Sequence, residues 1–358
     1  MSLARRSPNA HSALGELTMY PPVPQTPPDA TLVTDLLIVG AGPAGLFACH
    51  YAGMRDLDVT LLDSLPHLGG QVAALYPDKE IFDLAGFPTV LGRELVARLT
   101  EQALTAEPSI LLGDGAAELR HETDAVVVTT TGGRRIHAGA VLITAGIGRF
   151  TPRPLPALEG FRGSGVHHVV SAPHEYAGHD VVVVGGGDSA VDWANTLAPH
   201  ARTVTLVHRR ARFRAHEHAV ARLLDSPVRV HTNSEIAQVH GDRAIHAVTV
   251  RHCDDDRLER CAADVLIPAL GHVASLGPLT GWGLRIDRQQ IGVDTDMSTG
   301  IDRVYAAGDI TAYPGKVRLM AVGFGEAATA VNNIAVRIRP DEDLFPGHSS
   351  DRVPAHTR

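Results

Sequence analysis

Short apolar segments that run into closely spaced glycines are the most regular feature of the chain. Asp35–Val39 leads into Gly40-Ala-Gly42-Pro-Ala-Gly45, and Val181–Val184 leads into Gly185-Gly-Gly187-Asp-Ser-Ala190. Continuous apolar runs rich in β-branched residues predict parallel strands that are covered on both faces. The pattern therefore predicts two buried strands, each ending in a tight glycine turn.

Helix-compatible stretches, Ala44–Met54 and Ser189–Leu197, follow the two glycine clusters. A strand, a glycine turn and a helix in this order form a dinucleotide fingerprint, because the glycines allow the turn, the approach of the phosphates and the packing of the helix. The free N–H groups at the start of the helix then point at a pyrophosphate. Two fingerprints predict two bound nucleotides, with these candidate contacts: Gly40, Gly42, Gly45, Gly185, Gly187, Asp188 and Ser189.

The strand after each fingerprint separates the two ligands. Val59–Leu62 ends in Asp63, where a carboxylate would accept hydrogen bonds from ribose hydroxyls and repel a 2′-phosphate, so the first site suits FAD or NAD. The strand after the second fingerprint leads instead to three arginines, Arg209, Arg210 and Arg214. Guanidiniums match phosphate oxygens, which predicts NADP(H) at the second site. The alternative is that these arginines form a solvated basic face.

Three further apolar strands end in glycine and indicate how the units are connected. Val304–Gly308 precedes Asp309, and in flavoproteins of this kind such an aspartate binds the ribityl and pyrophosphate region of FAD. Val141–Gly146 and Val265–Gly271 are typical of the strands where a chain leaves one nucleotide domain and returns to it. We expect hinges near Arg149–Pro154 and Gly271–Val273.

The predicted fold is α/β, with two Rossmann-like three-layer nucleotide-binding domains and the NADPH domain inserted into the FAD domain. The predicted boundaries are a disordered lead over 1–32, the FAD domain over 33–150 and 273–340, the NADPH domain over 151–272, and a C-terminal extension over 341–358.

The order of these motifs resembles that of the low-molecular-weight thioredoxin reductases. That family carries a Cys-x-x-Cys redox pair just before the second fingerprint, where this chain has Gly165-Val-His-His-Val-Val-Ser. The three cysteines, Cys49, Cys253 and Cys261, do not form such a motif. Because a dithiol–disulfide reductase needs two thiols within exchange distance, reduction of thioredoxin is disfavoured.

Seven other segments, in loops as well as in the core, carry a closer resemblance: Ser64–Gln71, Leu75–Lys79, Asp83–Pro88, Phe213–His218, Ser275–Pro278, Gly281–Leu284 and Gly323–Ala328. From about Asp35 to Ser350 the chain resembles the ferredoxin/flavodoxin–NADP⁺ reductases of the thioredoxin-reductase-like type. The resemblance implies an FAD enzyme that transfers a hydride between NADP(H) and FAD, and single electrons between FAD and ferredoxin or flavodoxin.

The same resemblance implies roles for individual residues. Asp63 would hold the FAD ribose, Gln71 would contact the flavin or its ribityl chain, and Asp309 would bind the ribityl and phosphate side. Tyr76 would stack on one flavin face. Ala116 and Phe150 match positions around the adenine and the flavin. In a homodimer, the C-terminal extension would place His348 on the other flavin face of the partner subunit, with Ser350 as a hydrogen-bond partner.

Two alternatives to this function stay open at the level of the sequence. The chain could reduce another acceptor with NADPH, such as a quinone, a ferric chelate or a low-molecular-weight disulfide. It could also be a flavoprotein redox sensor that does not turn over. The paired fingerprints and the arginines beside the second one favour an enzyme.

Composition limits the partners and the location. The net charge of −8 argues against nucleic acid, and no apolar run of membrane-spanning length occurs. Three cysteines indicate a reducing, cytoplasmic compartment. The densest histidine pairs are His167-His168 and His216-Glu-His218, and neither has a third ligand at helical spacing, so no metal site is expected.

Overall fold

The computed structural model describes residues 32–170 and 172–348. The predicted N-terminal lead up to residue 31 and the candidate Ser350 lie outside the described residues. The chain divides into two compact units, one formed by the residues up to Ile147 and from Leu276 onward, and the other by Gly148–Ser275. The predicted boundaries after residues 150 and 272 lie close to these divisions.

Six helices and twenty-one strands are formed by the described residues. The helices are α1 (Pro43–Gly53), α2 (Gly70–Leu75), α3 (Gly92–Leu104), α4 (Asp188–Leu197), α5 (Glu217–Leu224) and α6 (Met320–Ile338). The strands of the first unit before the second unit begins are β1 (Leu32–Val39), β2 (Val59–Asp63), β3 (Glu80–Ile81), β4 (Val90–Leu91), β5 (Ser109–Leu112), β6 (Ala116–His121), β7 (Val126–Thr130) and β8 (Arg135–Ile143). Those of the second unit are β9 (Arg149–Pro152), β10 (Asp180–Val184), β11 (Thr203–Val207), β12 (Arg229–His231), β13 (Ser234–His240), β14 (Ala247–His252), β15 (Leu258–Ala262), β16 (Val265–Pro268) and β17 (His272–Ser275). The first unit then resumes with β18 (Ile286–Asp287), β19 (Gln290–Gly292), β20 (Val304–Ala306) and β21 (Thr311–Ala312).

The first unit is built on a seven-stranded sheet in the order β5-β2-β1-β8-β7-β6, with β20 also paired to β8. β5, β2, β1, β8 and β20 are parallel, whereas β6 and β7 form an antiparallel extension. Three successive residues of β1, Leu36, Leu37 and Ile38, are fully buried. Neighbouring strand residues point to opposite faces, so β1 is covered on both sides, as its apolar run predicts.

The second unit has three layers. Its central sheet is parallel, in the order β12-β11-β10-β16, and β13, β14 and β15 form a separate antiparallel sheet. Val181 and Val183 pack in one apolar cluster with residues of α4 and α5, while Val182 and Val184 pack in a second cluster with residues of the antiparallel sheet. The alternation along β10 therefore fills both interfaces of the central sheet. Together the two units confirm the predicted α/β fold of Rossmann-like domains.

The two segments expected to be hinges are paired with each other. β9 and β17 form a two-stranded antiparallel ribbon in which Phe150 faces Ala274 and Thr151 faces Val273. The amide of Arg153 also donates to the carbonyl of Gly271 at 2.9 Å. The entry and exit of the second unit are thus joined by backbone hydrogen bonds.

Candidate nucleotide sites

The first fingerprint turn accepts only glycine at two of its three positions. Gly40 has φ of +115°, and a Cβ there would lie 2.6 Å from the carbonyl oxygen of Thr144. A Cβ on Gly45 would lie 1.9 Å from the carbonyl oxygen of Gly40. By contrast, the nearest atom to a Cβ on Gly42 would be Cα of Gly70, at 3.9 Å. A Cβ on Gly42 would thus make only ordinary van der Waals contact, and Gly42 lies at the start of α1, where the fingerprint brings a pyrophosphate close to the backbone.

Asp63 lies at the end of β2 and is tied to this turn. Its Oδ2 accepts the amide of Ala41 at 2.6 Å and its Oδ1 accepts the amide of Leu65 at 2.8 Å. Burial raises the pKa of Asp63, while the amides of Leu65 and Ala41 and the neighbouring His67 act in the opposite direction. Each carboxylate oxygen keeps a lone pair for a ribose hydroxyl. The spacing predicted the carboxylate but not its bonds to the backbone.

Two other predicted contacts lie near the same turn. Gln71 is in the first turn of α2, and a Cβ on Gly146 would lie 2.5 Å from its Nε2, so the amide lies beside the end of β8. Ala116 is buried at the start of β6. The segment that precedes it is held against β2, because the amide of Asp114 donates to the carbonyl of Asp63 at 3.2 Å.

Tyr76 ends α2 and keeps an accessible ring. The residue is 37% exposed, unlike the core aromatic Tyr305 of the same unit, which is 7% exposed. Nζ of Lys79 lies 5.8 Å from the centre of the Tyr76 ring. The ring is therefore available to stack on a planar ligand, which is the role that the family resemblance implies for it.

Gly308 and Asp309 lie where β20, α1 and α6 converge. A Cβ on Gly308 would lie 3.2 Å from Cβ of Ala44 in α1, and a Cβ on Gly323 in α6 would lie 3.3 Å from Cα of Gly308. The Asp309 side chain is exposed. It therefore lies near the start of α1, on the surface rather than in the core.

A buried polar cluster that the sequence analysis missed supports this turn. Glu326 of α6 accepts the amide of Gly308 at 2.7 Å and the hydroxyl of Tyr313 at 2.5 Å. Nζ of Lys316 forms an ion pair with Glu326 and donates to the carbonyl of Gly308 at 3.0 Å. Burial and Glu326 together raise the pKa of Tyr313 to about 12. The signal that could have revealed the cluster is Glu326 as the one charged residue in the otherwise apolar stretch Met320–Ala328 of α6.

The second fingerprint has the same division between packed and open glycines. A Cβ on Gly185 would lie 2.3 Å from the carbonyl oxygen of Ala269, and a Cβ on Gly186 would lie 2.1 Å from the His208 ring. No atom of the described residues lies within 4 Å of a Cβ on Gly187. Gly187 precedes α4 directly, so open space adjoins the start of this helix.

The arginine segment after β11 is hydrogen-bonded to this fingerprint. The amide of Arg214 donates to the carbonyl of Gly186 at 2.7 Å. The side chains of Arg209, Arg210 and Arg214 are exposed, and within residues 32–170 and 172–348 none of them forms an ion pair or a side-chain hydrogen bond. The structure therefore brings three available guanidiniums to the end of β11, next to the second glycine turn.

His208, directly after β11, packs against the arginine segment. Its ring stacks on Phe213 at 5.1 Å, and its Nε2 donates to the carbonyl of Arg212 at 3.0 Å, a carbonyl being only an acceptor. Burial lowers the pKa of His208, and the nearby guanidiniums lower it further.

The two polar residues predicted at the start of α4 have different surroundings. Oδ1 of Asp188 accepts the amide of His216 at 3.0 Å, which fixes the start of α5 to the fingerprint. Ser189 is half-buried in the first turn of α4.

Two further predicted flavin contacts, Phe150 and His348, lie on the β9–β17 ribbon and near the end of the described chain. Phe150 belongs to the second unit, where it packs edge-on against His272 at 5.6 Å on the β9–β17 ribbon. His348 is exposed near the end of the described chain, with its ring 5.3 Å from that of Phe345.

None of the cysteines forms a redox pair. Cys49 is buried in α1, where its thiol contacts the carbonyl of Ala103 at 3.7 Å and burial raises its pKa to about 12. Cys253 is exposed and Cys261 is half-buried, and all three are free thiols.

Comparison with known sequences shows the family to which the chain belongs. The sequence profile of the pyridine nucleotide-disulphide oxidoreductases matches residues 34–333. The chain belongs to this family. No helix among the described residues combines the length and the apolar character needed to cross a membrane.

Relatives within the family carry a more specific name. A ferredoxin–NADP reductase of Salinispora tropica is 54% identical over 321 residues, which is 89% of this chain and 99% of the relative. A ferredoxin–NADP reductase of Frankia alni is 56% identical over 316 residues, covering 88% of this chain and 98% of the relative. These relatives confirm the resemblance predicted from the sequence, and the chain is an oxidoreductase.

Solved structures of similar fold include thioredoxin reductases. The enzyme of T. acidophilum is 23% identical with a TM-score of 0.71, covering 86% of this chain and 98% of its own. That of Lactococcus lactis is 22% identical with a TM-score of 0.70, covering 86% and 99%. These structures share the fold of this pyridine nucleotide-disulphide oxidoreductase.

Proposed function

We propose that this protein is an FAD-dependent oxidoreductase that exchanges electrons between NADP(H) and ferredoxin or flavodoxin. The single observation that carries the proposal is that each glycine turn has an unclashed glycine directly before a helix, one turn beside a buried carboxylate and the other beside three exposed guanidiniums. The names of the relatives support ferredoxin as the one-electron partner, and flavodoxin is included on the family resemblance.

The first site fits FAD. The start of α1 has no side-chain cap and no acidic residue in its first turn, so its N–H groups are suited to a pyrophosphate. Asp63 would accept the ribose hydroxyls, and the Gly308–Asp309 turn, held by Glu326, would bind the ribityl and phosphate side. Gln71 and Ala116 would line the flavin and adenine ends.

The second site fits NADP(H). The start of α4 would bind the pyrophosphate, and Arg209, Arg210 and Arg214 would bind the 2′-phosphate. These side chains hold a phosphate only by charge and hydrogen bonds, so they select the phosphorylated cofactor without any chemical step of their own.

Tyr76 would cover one face of the flavin ring and exclude water from it. We extend the proposal to a homodimer in which His348 and Ser350 of one subunit serve the flavin of the other. When bound, FAD accepts two electrons from a nicotinamide and releases them singly to a one-electron partner. The absence of a thiol pair among Cys49, Cys253 and Cys261 supports this acceptor class over thioredoxin.

The test is an anaerobic titration of the purified yellow protein. NADPH is expected to bleach the flavin absorbance, and ferredoxin or flavodoxin is expected to restore it, whereas oxidised thioredoxin is not. NADH added in place of NADPH is the matched control and should bleach it more slowly. Bleaching that only a quinone or a ferric chelate reverses would contradict the acceptor, and no bleaching by NADPH would contradict the enzyme.

A further inference from the structure

Three side chains of the second unit, from strands of two different sheets, form a compact group of potential metal ligands. They are His231 on β12 and Glu259 and Cys261 on β15, and one ring nitrogen, one carboxylate oxygen and the sulfur all lie within 4.8 Å of one another. All three residues are half-buried. We propose that these side chains form a binding site for a divalent transition metal ion of the zinc type, separate from the two nucleotide sites.

Strand register explains why two of the ligands share a face. Glu259 pairs with Val250 and Cys261 pairs with Val248 across the β14–β15 ladder. Directly paired residues lie on the same face of a sheet, and Val248 and Val250 are fully buried. The carboxylate and the thiol therefore lie on the face that packs toward the layer containing β12, with 38% of the Glu259 side chain still exposed.

The Glu259 carboxylate is already oriented. His252 donates from Nε2 to its Oε2 at 3.2 Å, and Arg257 donates to the same oxygen at 3.2 Å. Nδ1 of His252 lies 3.2 Å from the hydroxyl of Ser234, which fixes the His252 ring. Both donors use Oε2, so Oε1 remains for an ion. Outer hydrogen bonds that hold a ligand in this way are a regular feature of metal sites.

The chemistry of the three ligands favours zinc or a similar ion. One imidazole, one carboxylate and one thiolate are a ligand set that Zn²⁺ accepts, and a water molecule would complete the tetrahedron. Ligand atoms about 3.5 Å apart are needed around zinc, so the side chains must draw together by roughly 1 Å on binding.

The charges around the site determine how tightly it would bind a divalent cation. A thiolate and a carboxylate neutralise the ion, but the guanidiniums of Arg229 and Arg257 also face His231 and oppose a cation. We therefore expect micromolar binding rather than the tighter binding of zinc-finger sites.

An ion at this site would join two layers of the unit. His231 ends a strand of the parallel sheet, and its carbonyl accepts the amide of His208 at 2.8 Å, directly before the arginine segment. Glu259 and Cys261 belong to the antiparallel sheet. His231 precedes the two ligands of β15 by 28 residues or more and is the only histidine of the three, so short histidine spacings did not predict this site.

The test uses the full-length, tag-free protein with its flavin, stripped of metals by a chelator and titrated with Zn²⁺ against a competing indicator. We expect one equivalent of zinc per chain with a micromolar Kd, and a melting temperature that rises with zinc. Cys261→Ser and His231→Gln should weaken binding at least ~10-fold. Cys253→Ser, which changes an exposed cysteine of the same unit, is the matched control and should bind as the parent protein does.

Glu259→Gln provides a second probe if a ligand variant fails to fold. It keeps the size of the side chain and should also weaken binding, with a melting temperature near that of the parent protein in the absence of zinc. Saturation at one equivalent that is lost in the ligand variants and retained in the control supports the site. Absence of saturable binding, or equal binding by all variants, overturns it.

Discussion

The guanidinium of Arg55 lies 3.0 Å from the carboxylate of Glu342 and joins the end of α1 to the segment after α6. Only 2% of the Arg55 side chain is exposed. It also donates to the carbonyls of Asp343 and Leu344, at 2.9 and 3.1 Å, and to Asn332 of α6 at 2.5 Å. One buried cation thus fixes the first residues of the C-terminal extension, just before Phe345.

We predict that Arg55→Ala lowers the free energy of unfolding by about 3 kcal/mol, because it leaves several acceptors without their donor. Urea denaturation monitored by circular dichroism measures the change. Arg98→Ala removes an exposed pair with Glu94 and should cost less than ~0.5 kcal/mol. Equal losses in the two variants would show that Arg55 does not anchor the segment.

Adjacent glycines of the second fingerprint should respond differently to alanine. Gly187→Ala adds a methyl group to open space, so it should leave the melting temperature within a few degrees and weaken NADPH binding at least ~10-fold, through contact with the pyrophosphate. Gly186→Ala places its methyl group on the His208 ring and should destabilise the unit by about 1–3 kcal/mol. Thermal melts and NADPH titrations of both variants distinguish the two effects.

If Gly187→Ala bound NADPH as tightly as the parent protein, the open space would not be the phosphate site. Gly281→Ala is a suitable control, because it also adds a methyl group to open space but lies outside both fingerprints.

The three exposed arginines should determine the choice of cofactor. We predict that Arg209→Ala with Arg210→Ala raises the KM for NADPH about 10- to 100-fold and leaves the KM for NADH nearly unchanged, because each charged hydrogen bond to a phosphate contributes about 1.5–3 kcal/mol. Steady-state kinetics with both cofactors provides the measurement. Arg222→Ala, a basic residue of α5 away from the turn, is the control. Parallel changes with NADPH and NADH would exclude recognition of the 2′-phosphate.

The local parts of both sites could be predicted from the sequence. The conformation of a glycine turn depends on only a few consecutive residues. The spacing around Gly40 and Gly185 therefore predicted the helices that follow them to within a residue or two of the observed bounds. Asp63 followed from the spacing as well. Its hydrogen bonds from the amides of Ala41 and Leu65 have no signal in the sequence, because they depend on how the turn folds against the end of β2.

The parts that depend on long-range pairing could not be predicted. Lys316 and Glu326 meet because a loop folds back on α6, and neither residue has a periodic signal. The two expected hinges were predicted separately, but only the structure shows that β9 and β17 form one ribbon. The same ribbon pairs Phe150 with Ala274 and so places it in the second unit, whereas the sequence pattern put the boundary after residue 150.

The buried Lys316–Glu326 pair should support flavin binding. We predict that Lys316→Met lowers the free energy of unfolding by about 3 kcal/mol, because it leaves the Glu326 charge without its partner, and that it speeds the loss of FAD. The double variant Lys316→Met with Glu326→Gln removes both charges and should recover part of the stability. Urea denaturation and flavin release on dilution measure the two effects. A double variant less stable than Lys316→Met would contradict the role of the pair.

The stability of the second unit should fall as the pH drops below the normal range of histidine. Burial lowers the pKa of His208, so the unfolded chain takes up a proton near pH ~6.5 while the folded unit resists it. The contribution of His208 to the free energy of unfolding is therefore complete above about pH 6.5 and is lost as the pH falls toward its folded pKa.

His208→Gln keeps a donor for the carbonyl of Arg212 and should reduce the pH dependence of the free energy of unfolding by up to about 1.4 kcal/mol per pH unit. His218→Gln, which changes an exposed residue of α5, is the control. Denaturation curves between about pH 5.5 and 7.5 test the prediction, and an unchanged slope in His208→Gln would show that His208 does not stay neutral in the folded unit.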